Sequence, residues 1–301
     1  LAWGRAESLD VLILGGGSNL LVSDAGFDGL VISPTDTTLK ELERSDSEIL
    51  IEVGAGYDWD ALVALCVERG WSGLECLSGI PGRVGAAPIQ NIGAYGQEVA
   101  ECIEAVHVMR RADGGCERLV ASACDFGYRH SHFKTRWRDT YVVLSVELRL
   151  KLHGPAPLRY GELTRHLGAE SGHSLVAIRE AVLALRAGKS MVYDQADPNH
   201  RSAGSFFVNP VVRVTDVEDI VDRFEQRGID GRSMPRYPVV GGSTQQVKLS
   251  AAWLIDSLGL KGESVGGISV SRQHALVLVN HSAGTFDDLQ KISELVRRKV
   301  Y

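Results

Sequence analysis

Apolar and polar positions change rhythm several times along the chain. Asp10 to Leu14 is a short apolar run that stops at Gly15-Gly16-Gly17-Ser18-Asn19, and Leu20, Leu21 and Val22 open a second extended run, so the pattern predicts strand, tight loop, strand. Ile49 to Val53 alternates as a strand does, and Asp58 stands as an N-cap before Trp59, Leu62, Val63 and Cys66 at helical spacing, closed by Gly70. Leu77 to Gly96 is almost all small residues, proline and amides, and reads as a long structured loop. Val106 and Val108, then Val142, Leu144, Val146, Leu148 and Leu150, alternate with polar neighbours and predict strands with one wet face.

The texture changes near Gly154 to Pro157, and Ile178, Val182 and Leu185 mark an amphipathic helix before the polar stretch Asp194 to Ser202, where the last boundary falls. Beyond it the pattern predicts a helix capped by Ser250 and running through Leu254, Ile255 and Leu258 to Gly259. A strand follows at Ala275 to Val279, then a final helix opened by the capping box Thr285-x-x-Asp288. Its last turn carries Arg297, Arg298 and Lys299, which suit the helix dipole. No period of repetition is visible. The class is α+β.

Composition narrows the function. A chain of 301 residues, 44% apolar, can build one large or several small cores. Net charge is -6 and the basic residues are scattered, which argues against a nucleic-acid partner. No apolar run approaches a bilayer span, and neither a membrane nor an export segment is expected. Five cysteines at irregular gaps without Cys-x-x-Cys fit neither a disulfide framework nor a zinc site, so a reducing cytoplasm is expected and no metal.

Several familiar motifs fail. The loop at Gly15 to Leu20 lacks the last glycine of G-x-G-x-x-G and is followed by a strand-like run, which disfavours a dinucleotide-binding Rossmann unit. Its consecutive glycines still allow backbone N–H groups to converge on an anion, with Ser18 and Asn19 adding donors; the bland alternative is a hairpin-like turn. Lys189-Ser190 resembles a P-loop tail, but Leu183 stands where glycine is required. There is no H-E-x-x-H and no G-x-S-x-G. The stretch from Ser78 to Gly96 is more informative, because a long loop of glycine, proline and alanine with Asn91 and Tyr95 as polar groups can lie flat against an extended cofactor. The alternative is a packed Ω-loop without function.

The glycine loop at 15 to 19, the stretch Ser78 to Gly96, Phe126-Gly127-Tyr128-Arg129, Leu158-Arg159-Tyr160-Gly161-Glu162-Leu163 and Gly204-Ser205-Phe206-Phe207-x-Asn209-Pro210 together resemble the UDP-N-acetylenolpyruvoylglucosamine reductase family. Val247-Lys248-Leu249 and Trp253-Leu254-Ile255 extend the match in order over nearly the whole chain. The resemblance implies an FAD-binding domain of the vanillyl-alcohol-oxidase (PCMH) type in two parts, residues 1–36 and 37–175. A helical connector, 176–194, and a C-terminal α/β substrate-binding domain, 195–301, complete it. It implies FAD and NADPH as cofactors, UDP-N-acetylglucosamine enolpyruvate as substrate, a place in peptidoglycan precursor synthesis and a monomer. The tyrosine of the Leu158 to Leu163 motif implies the subgroup with a mobile loop over the substrate.

On this resemblance FAD lies against Gly15, Gly16, Gly17, Ser18 and Asn19 and against Gly79, Ile80, Pro81, Gly82, Gly85, Ala86, Pro88, Asn91, Gly93, Ala94 and Tyr95. Arg129 matches the arginine that stabilises the substrate's developing negative charge, and its other reading is a surface ion-pair residue. Ser205 matches the serine that delivers a proton, and its other reading is a cap or turn residue. Tyr160, Asn209, Tyr237 and Lys248 fall where the family contacts the UDP-sugar, and His274 stands after Arg272-Gln273 where the family carries a glutamine. The family's C-terminal catalytic glutamate is not found before Tyr301 and the start looks clipped, so a fragment that binds flavin but turns over poorly is expected. Two other readings stay open: an FAD-dependent oxidase of the same superfamily, and a non-catalytic module binding FAD or a UDP-sugar.

Overall fold

A computed structural model describes all residues except 156, 169–171 and 240–243. Position 156, within the texture change at 154–157, therefore lies outside the described residues. The chain divides into two units, 1–18 with 27–192 and 19–26 with 193–301.

The first unit begins with a short helix α1 (Ala2–Ala6) and a parallel strand pair, β1 (Val11–Ile13) and β2 (Leu30–Ile32). Leu20 to Val22 is therefore not the second strand. These residues are exposed and outside any strand, and the apolar run that pairs with β1 lies further along the chain. A parallel partner requires a crossover, which a run of local hydrophobicity cannot reveal.

Next come β3 (Leu39–Arg44), β4 (Glu48–Gly54), α2 (Trp59–Glu68), a two-residue pair β5 (Gly93–Ala94) and β6 (Gln97–Glu98), then β7 (Ile103–Arg110), β8 (Cys116–Val120) and β9 (Tyr141–Lys151). Five of them form an antiparallel sheet in the order β3-β4-β9-β7-β8. Asp58 accepts a hydrogen bond from the Ala61 N–H, the cap expected at the start of α2, and Gly70 closes the helix at φ 70°. One sheet face packs Ile49, Ile51, Val53, Val106, Val108, Val146 and Leu148 against Trp59, Leu62, Val63 and Cys66 of α2.

The other face is drier than alternation alone predicts. Ser145 and Glu147 of β9 are buried as well, Ser145 donating to Glu52 at 2.6 Å and Glu147 accepting from Arg118 Nε at 2.7 Å with His107 at 2.6 Å. Long side chains from neighbouring strands cover these polar positions, so burial follows from cross-strand partners. Two helices, α3 (Gly161–Leu167) and α4 (Leu175–Ala187), complete the unit. Ser174 caps α4 by accepting from Ala177 N–H, and Ile178, Ala181 and Val182 form its buried stripe with Cys76 and Leu163.

The second unit holds β10 (Ser202–Ser205), β11 (Val211–Arg213), α5 (Val217–Glu225), β12 (Arg236–Pro238), β13 (Gln246–Leu249), α6 (Ala251–Ser257), β14 (Ser264–Val265), β15 (Ile268–Val270), β16 (Val277–Asn280) and α7 (Phe286–Val300). Two antiparallel sheets, β10-β16-β15-β14 and β11-β13-β12, have separate cores. Ile268, Val270 and Leu278 pack with Ile292 and Val296 of α7, while Leu249 packs with Val221 and Phe224 of α5. Ser250 and the Thr285–Asp288 capping box start α6 and α7 as their sequence signatures predict. The strand expected at Ala275 starts at Val277, because the preceding turn returns the Val277 N–H to the His274 carbonyl.

Candidate active site

Within the first unit the two glycine-rich segments lie against each other. Ser18 Oγ donates to the Pro81 carbonyl at 2.9 Å, and a Cβ built on Gly16 would stand 2.8 Å from the Gly82 Cα. A Cβ on Gly15 would stand 3.3 Å from the Ala86 methyl. Only glycine lets two backbones approach so closely, and Gly17 and Gly82 also take φ of 74° and 129°, where other residues are strained. Among the described residues the N–H groups of Gly15, Gly16, Gly17, Ile80 and Gly82 make no hydrogen bond within the protein.

The second loop is pinned from below by α2 and by the turn that leads into it from β4. Gly85 N–H donates to the Ala55 carbonyl at 3.0 Å, Val84 N–H to the Tyr57 carbonyl at 2.9 Å, and Trp59 donates its indole N–H to the Leu77 carbonyl at 3.1 Å and its backbone N–H to the Gly82 carbonyl at 3.0 Å. Gly79 N–H donates to Asp60 Oδ1 at 2.6 Å, and Arg179 of α4 grips the same carboxylate with both terminal nitrogens at 2.7 and 2.8 Å. Burial alone would raise the Asp60 pKa, but the hydrogen bonds from Arg179 and Gly79 outweigh it and hold the carboxyl below its usual range.

Arg186 lies beneath Gly79. It is 5% exposed, its Nε has no hydrogen-bond partner among the described residues, and burial pushes its pKa down against the pull of Tyr95 and Asp60. A Cβ on Gly79 would come within 3.2 Å of that Nε. A backbone cradle with unspent N–H groups, beside a buried cation with an unspent donor, fits a flat anionic cofactor such as FAD.

Arg129 sits at φ 53° in a turn closed by reciprocal backbone bonds between Gly127 and His130. Its guanidinium donates to the Gly93 carbonyl at 2.6 Å and to the Asn91 carbonyl at 3.4 Å, which leaves Nε–H and one N–H on each terminal nitrogen for another acceptor. Asn91, at φ 47° and 1% exposed, commits its side chain to Glu98, the Gly127 carbonyl and the Ala100 N–H at 2.7, 2.9 and 3.0 Å. Its amide therefore ties the second glycine loop to the Arg129 turn. Tyr95 and Tyr160 meet edge to face at 5.4 Å, Lys189 lies 5.8 Å over the Tyr95 ring, and burial pushes the Tyr95 phenol up to about 12. Gly93 and Ala94 form β5, the strand of the hairpin that carries Tyr95, and Pro88 precedes the turn into Asn91.

In the second unit Ser205 ends edge strand β10 beyond a register shift, exposed, after Gly204 at φ 67°. It is neither a helix cap nor a turn residue. Among the described residues its hydroxyl makes no hydrogen bond. Tyr237 and Lys248 are cross-strand neighbours on β12 and β13, with the Lys248 ammonium 6.0 Å from the Tyr237 ring. Asn209 Oδ1 accepts from the Ala251 N–H at the start of α6 at 2.9 Å. His274 is apart from that pair, lining a cleft of about 320 Å³ with Trp253, Asp256 and Lys261. Asn19 falls in the second unit, whereas Gly15 to Ser18 belong to the first.

Sequence reading did not find Asp60, Arg179 or Arg186. Nothing local marks them: Asp60 is one acidic residue in the first turn of α2, and Arg179 and Arg186 are single charges along α4.

Residues 197–301 match the profile of the C-terminal domain of UDP-N-acetylenolpyruvoylglucosamine reductase, and residues 1–119 that of an FAD binding domain. The chain is 44% identical over 294 residues to the UDP-N-acetylenolpyruvoylglucosamine reductase of Thermobifida fusca, covering 96% of this chain and 81% of the relative. The chain belongs to the UDP-N-acetylenolpyruvoylglucosamine reductase family. The reductase of Salinispora arenicola is 46% identical, covering 96% of this chain and 79% of the relative. A crystal structure of the UDP-N-acetylenolpyruvylglucosamine reductase from Thermus caldophilus superposes with a TM-score of 0.63 at 28% identity, covering 98% of this chain and 84% of that one. The α+β fold with an N-terminal FAD binding domain is thus that of the UDP-N-acetylenolpyruvoylglucosamine reductase family.

Proposed function

We propose that this chain is an FAD-dependent reductase that uses NADPH to convert UDP-N-acetylglucosamine enolpyruvate into UDP-N-acetylmuramate, a step of peptidoglycan precursor synthesis. The observation that carries this is the identity of 44% to a reductase of that name over 96% of the chain. The cradle formed by Gly15 to Ser18 and Gly79 to Ala86 supports it. Residues 1–36 and 37–175 are the two parts of the FAD-binding domain, of the vanillyl-alcohol-oxidase type, and 195–301 bind the substrate. The protein acts in the cytoplasm as a monomer, with neither nucleic acid nor membrane as partner. No helix among the described residues is long and apolar enough to cross a bilayer.

Bound FAD supplies the two-electron chemistry between NADPH and the vinyl carbon. Unspent N–H groups of the first glycine loop and of Ile80 and Gly82 bind its anionic part, and Arg186 presents its spare donor under Gly79. Reduction at the vinyl carbon places negative charge on the pyruvyl carboxylate, and Arg129 stabilises it with the donors left over from Gly93 and Asn91. Ser205 delivers a proton to the carbon bearing the ether oxygen. Its hydroxyl is a weak acid, so contact with that carbon has to compensate. Lys248 attracts the diphosphate beside Tyr237, Asn209 and His274 contact the UDP-sugar, and Tyr160, resting on Tyr95, closes over the nucleotide as in the tyrosine-loop subgroup.

The test is NADPH oxidation with product identification by mass. Oxidation that depends strictly on the enolpyruvyl UDP-sugar, with one UDP-N-acetylmuramate formed per NADPH, is expected. Flavin reduction by a sugar or hydroxy acid, with oxygen consumed and NADPH untouched, would instead make the protein an oxidase. FAD or UDP-sugar binding without turnover would leave a binding module.

A further inference from the structure

Three side chains of types that ligate metals bracket Arg129. Asp125, His130 and His132 each offer one ligand atom, all within 4.8 Å of one another. Asp125 Oδ2 is 3.2 Å from His130 Nε2 and 3.6 Å from His132 Nδ1. A tetrahedral zinc ion with bonds of about 2.0–2.1 Å holds its ligand atoms roughly 3.3–3.4 Å apart. The carboxylate oxygen thus already stands near zinc spacing from both imidazoles.

The third ligand is in an unusual state for a surface histidine. His132 Nδ1 is shielded from solvent and has no hydrogen-bond partner among the described residues, since 3.6 Å to the carboxylate is too long for one. A buried nitrogen left in that condition costs stability unless something satisfies it. The ring is packed on the other side by Trp137, edge on at 5.0 Å, and the backbone N–H of His132 donates to the Cys124 carbonyl at 2.8 Å, which anchors the main chain beneath it. Ser131, between the two histidines, is held by its hydroxyl to the Ile89 carbonyl at 2.5 Å. Asp125 takes φ 50°, so its carboxylate is set by a turn that carboxylate and amide residues tolerate better than most.

We propose that Asp125, His130 and His132 form a binding site for a divalent transition metal of the zinc type, which braces the turn carrying Arg129. Two imidazoles and one carboxylate suit zinc or cobalt and not magnesium or calcium, which prefer oxygen alone. Water completes the coordination. The metal ties Asp125, ahead of the Gly127–His130 closure, to His130 and His132 behind Arg129 and so fixes the backbone from which Arg129 projects. These three are positioning residues, and the proposal stands whichever reaction the chain performs.

The experiment is a cobalt(II) titration of the purified holoprotein, read by visible absorption and followed by displacement with zinc. One equivalent with ligand-field bands of a nitrogen and oxygen site is expected. His130→Ala and Asp125→Asn should each weaken binding at least tenfold while the flavin content stays constant. Asp125→Asn keeps the backbone preference of the turn, and His130 is half-exposed, so neither loss can be ascribed to misfolding when flavin is retained. Equal affinity in the wild type and both variants would overturn the site. So would a thiolate charge-transfer band that disappears in Cys116→Ser, since that exposed cysteine would then be the ligand.

Discussion

Gly16 and Gly82 touch through bare backbone: a Cβ on Gly16 would come within 2.8 Å of the Gly82 Cα. The two loops proposed to cradle the cofactor are thus in register only while both positions lack a side chain. Gly16→Ala forces the loops apart at an overpacking cost of about 1–3 kcal/mol. FAD affinity should fall tenfold or more, measured by flavin fluorescence during reconstitution, while Gly114→Ala, strained at φ 79° but in the β7–β8 turn away from both loops, leaves it unchanged.

Arg129 spends two N–H donors on the Asn91 and Gly93 carbonyls and, in the proposed mechanism, turns the others to the substrate carboxylate. Lysine offers a point charge and cannot do both. Arg129→Lys should lower kcat by roughly 10²–10³ with flavin content intact, the range seen when one charge-stabilising donor is removed. Steady-state kinetics on flavin-replete protein provide the check.

If Ser205 delivers the proton as proposed, Ser205→Ala separates proton delivery from reduction. Flavin reduction by NADPH should keep its wild-type rate while overall turnover falls roughly 10²–10⁴-fold, a typical contribution of general acid catalysis. Stopped-flow measurement of each half-reaction distinguishes the two.

The Asp60–Arg179 pair gives a pH signature. The folded Asp60 pKa is depressed, so its stabilising contribution is complete above the unfolded value near ~4 and is lost as pH falls through the lower folded value. Asp60→Asn keeps an acceptor for Gly79 but loses the ion pair. Urea midpoints measured from about pH 5 downwards should therefore fall less steeply in the variant than in the wild type.

Much of this was legible in the sequence because the determinants are local. Asp58, Ser250 and Thr285 cap their helices through hydrogen bonds spanning three residues, and a cap carries its own signature. The two glycine loops declared themselves by composition, although their mutual contact through Ser18 and Pro81 joins residues far apart in the chain. What could not be read is non-local. Leu20 to Val22 look like a strand, yet the partner of β1 is Leu30 to Ile32, reached by a crossover. Glu147 looks solvent-facing on β9 until Arg118 and His107 arrive from neighbouring strands. Asp60 and Arg179 become one clamp only when α2 and α4 are packed together.

An anaerobic two-step titration tests the central claim most directly. With the protein reconstituted with FAD, NADPH should bleach the visible flavin band, and one equivalent of UDP-N-acetylglucosamine enolpyruvate should restore it without oxygen. A preparation that takes up no FAD, or a bleached band that the enolpyruvyl sugar leaves unchanged, would contradict it.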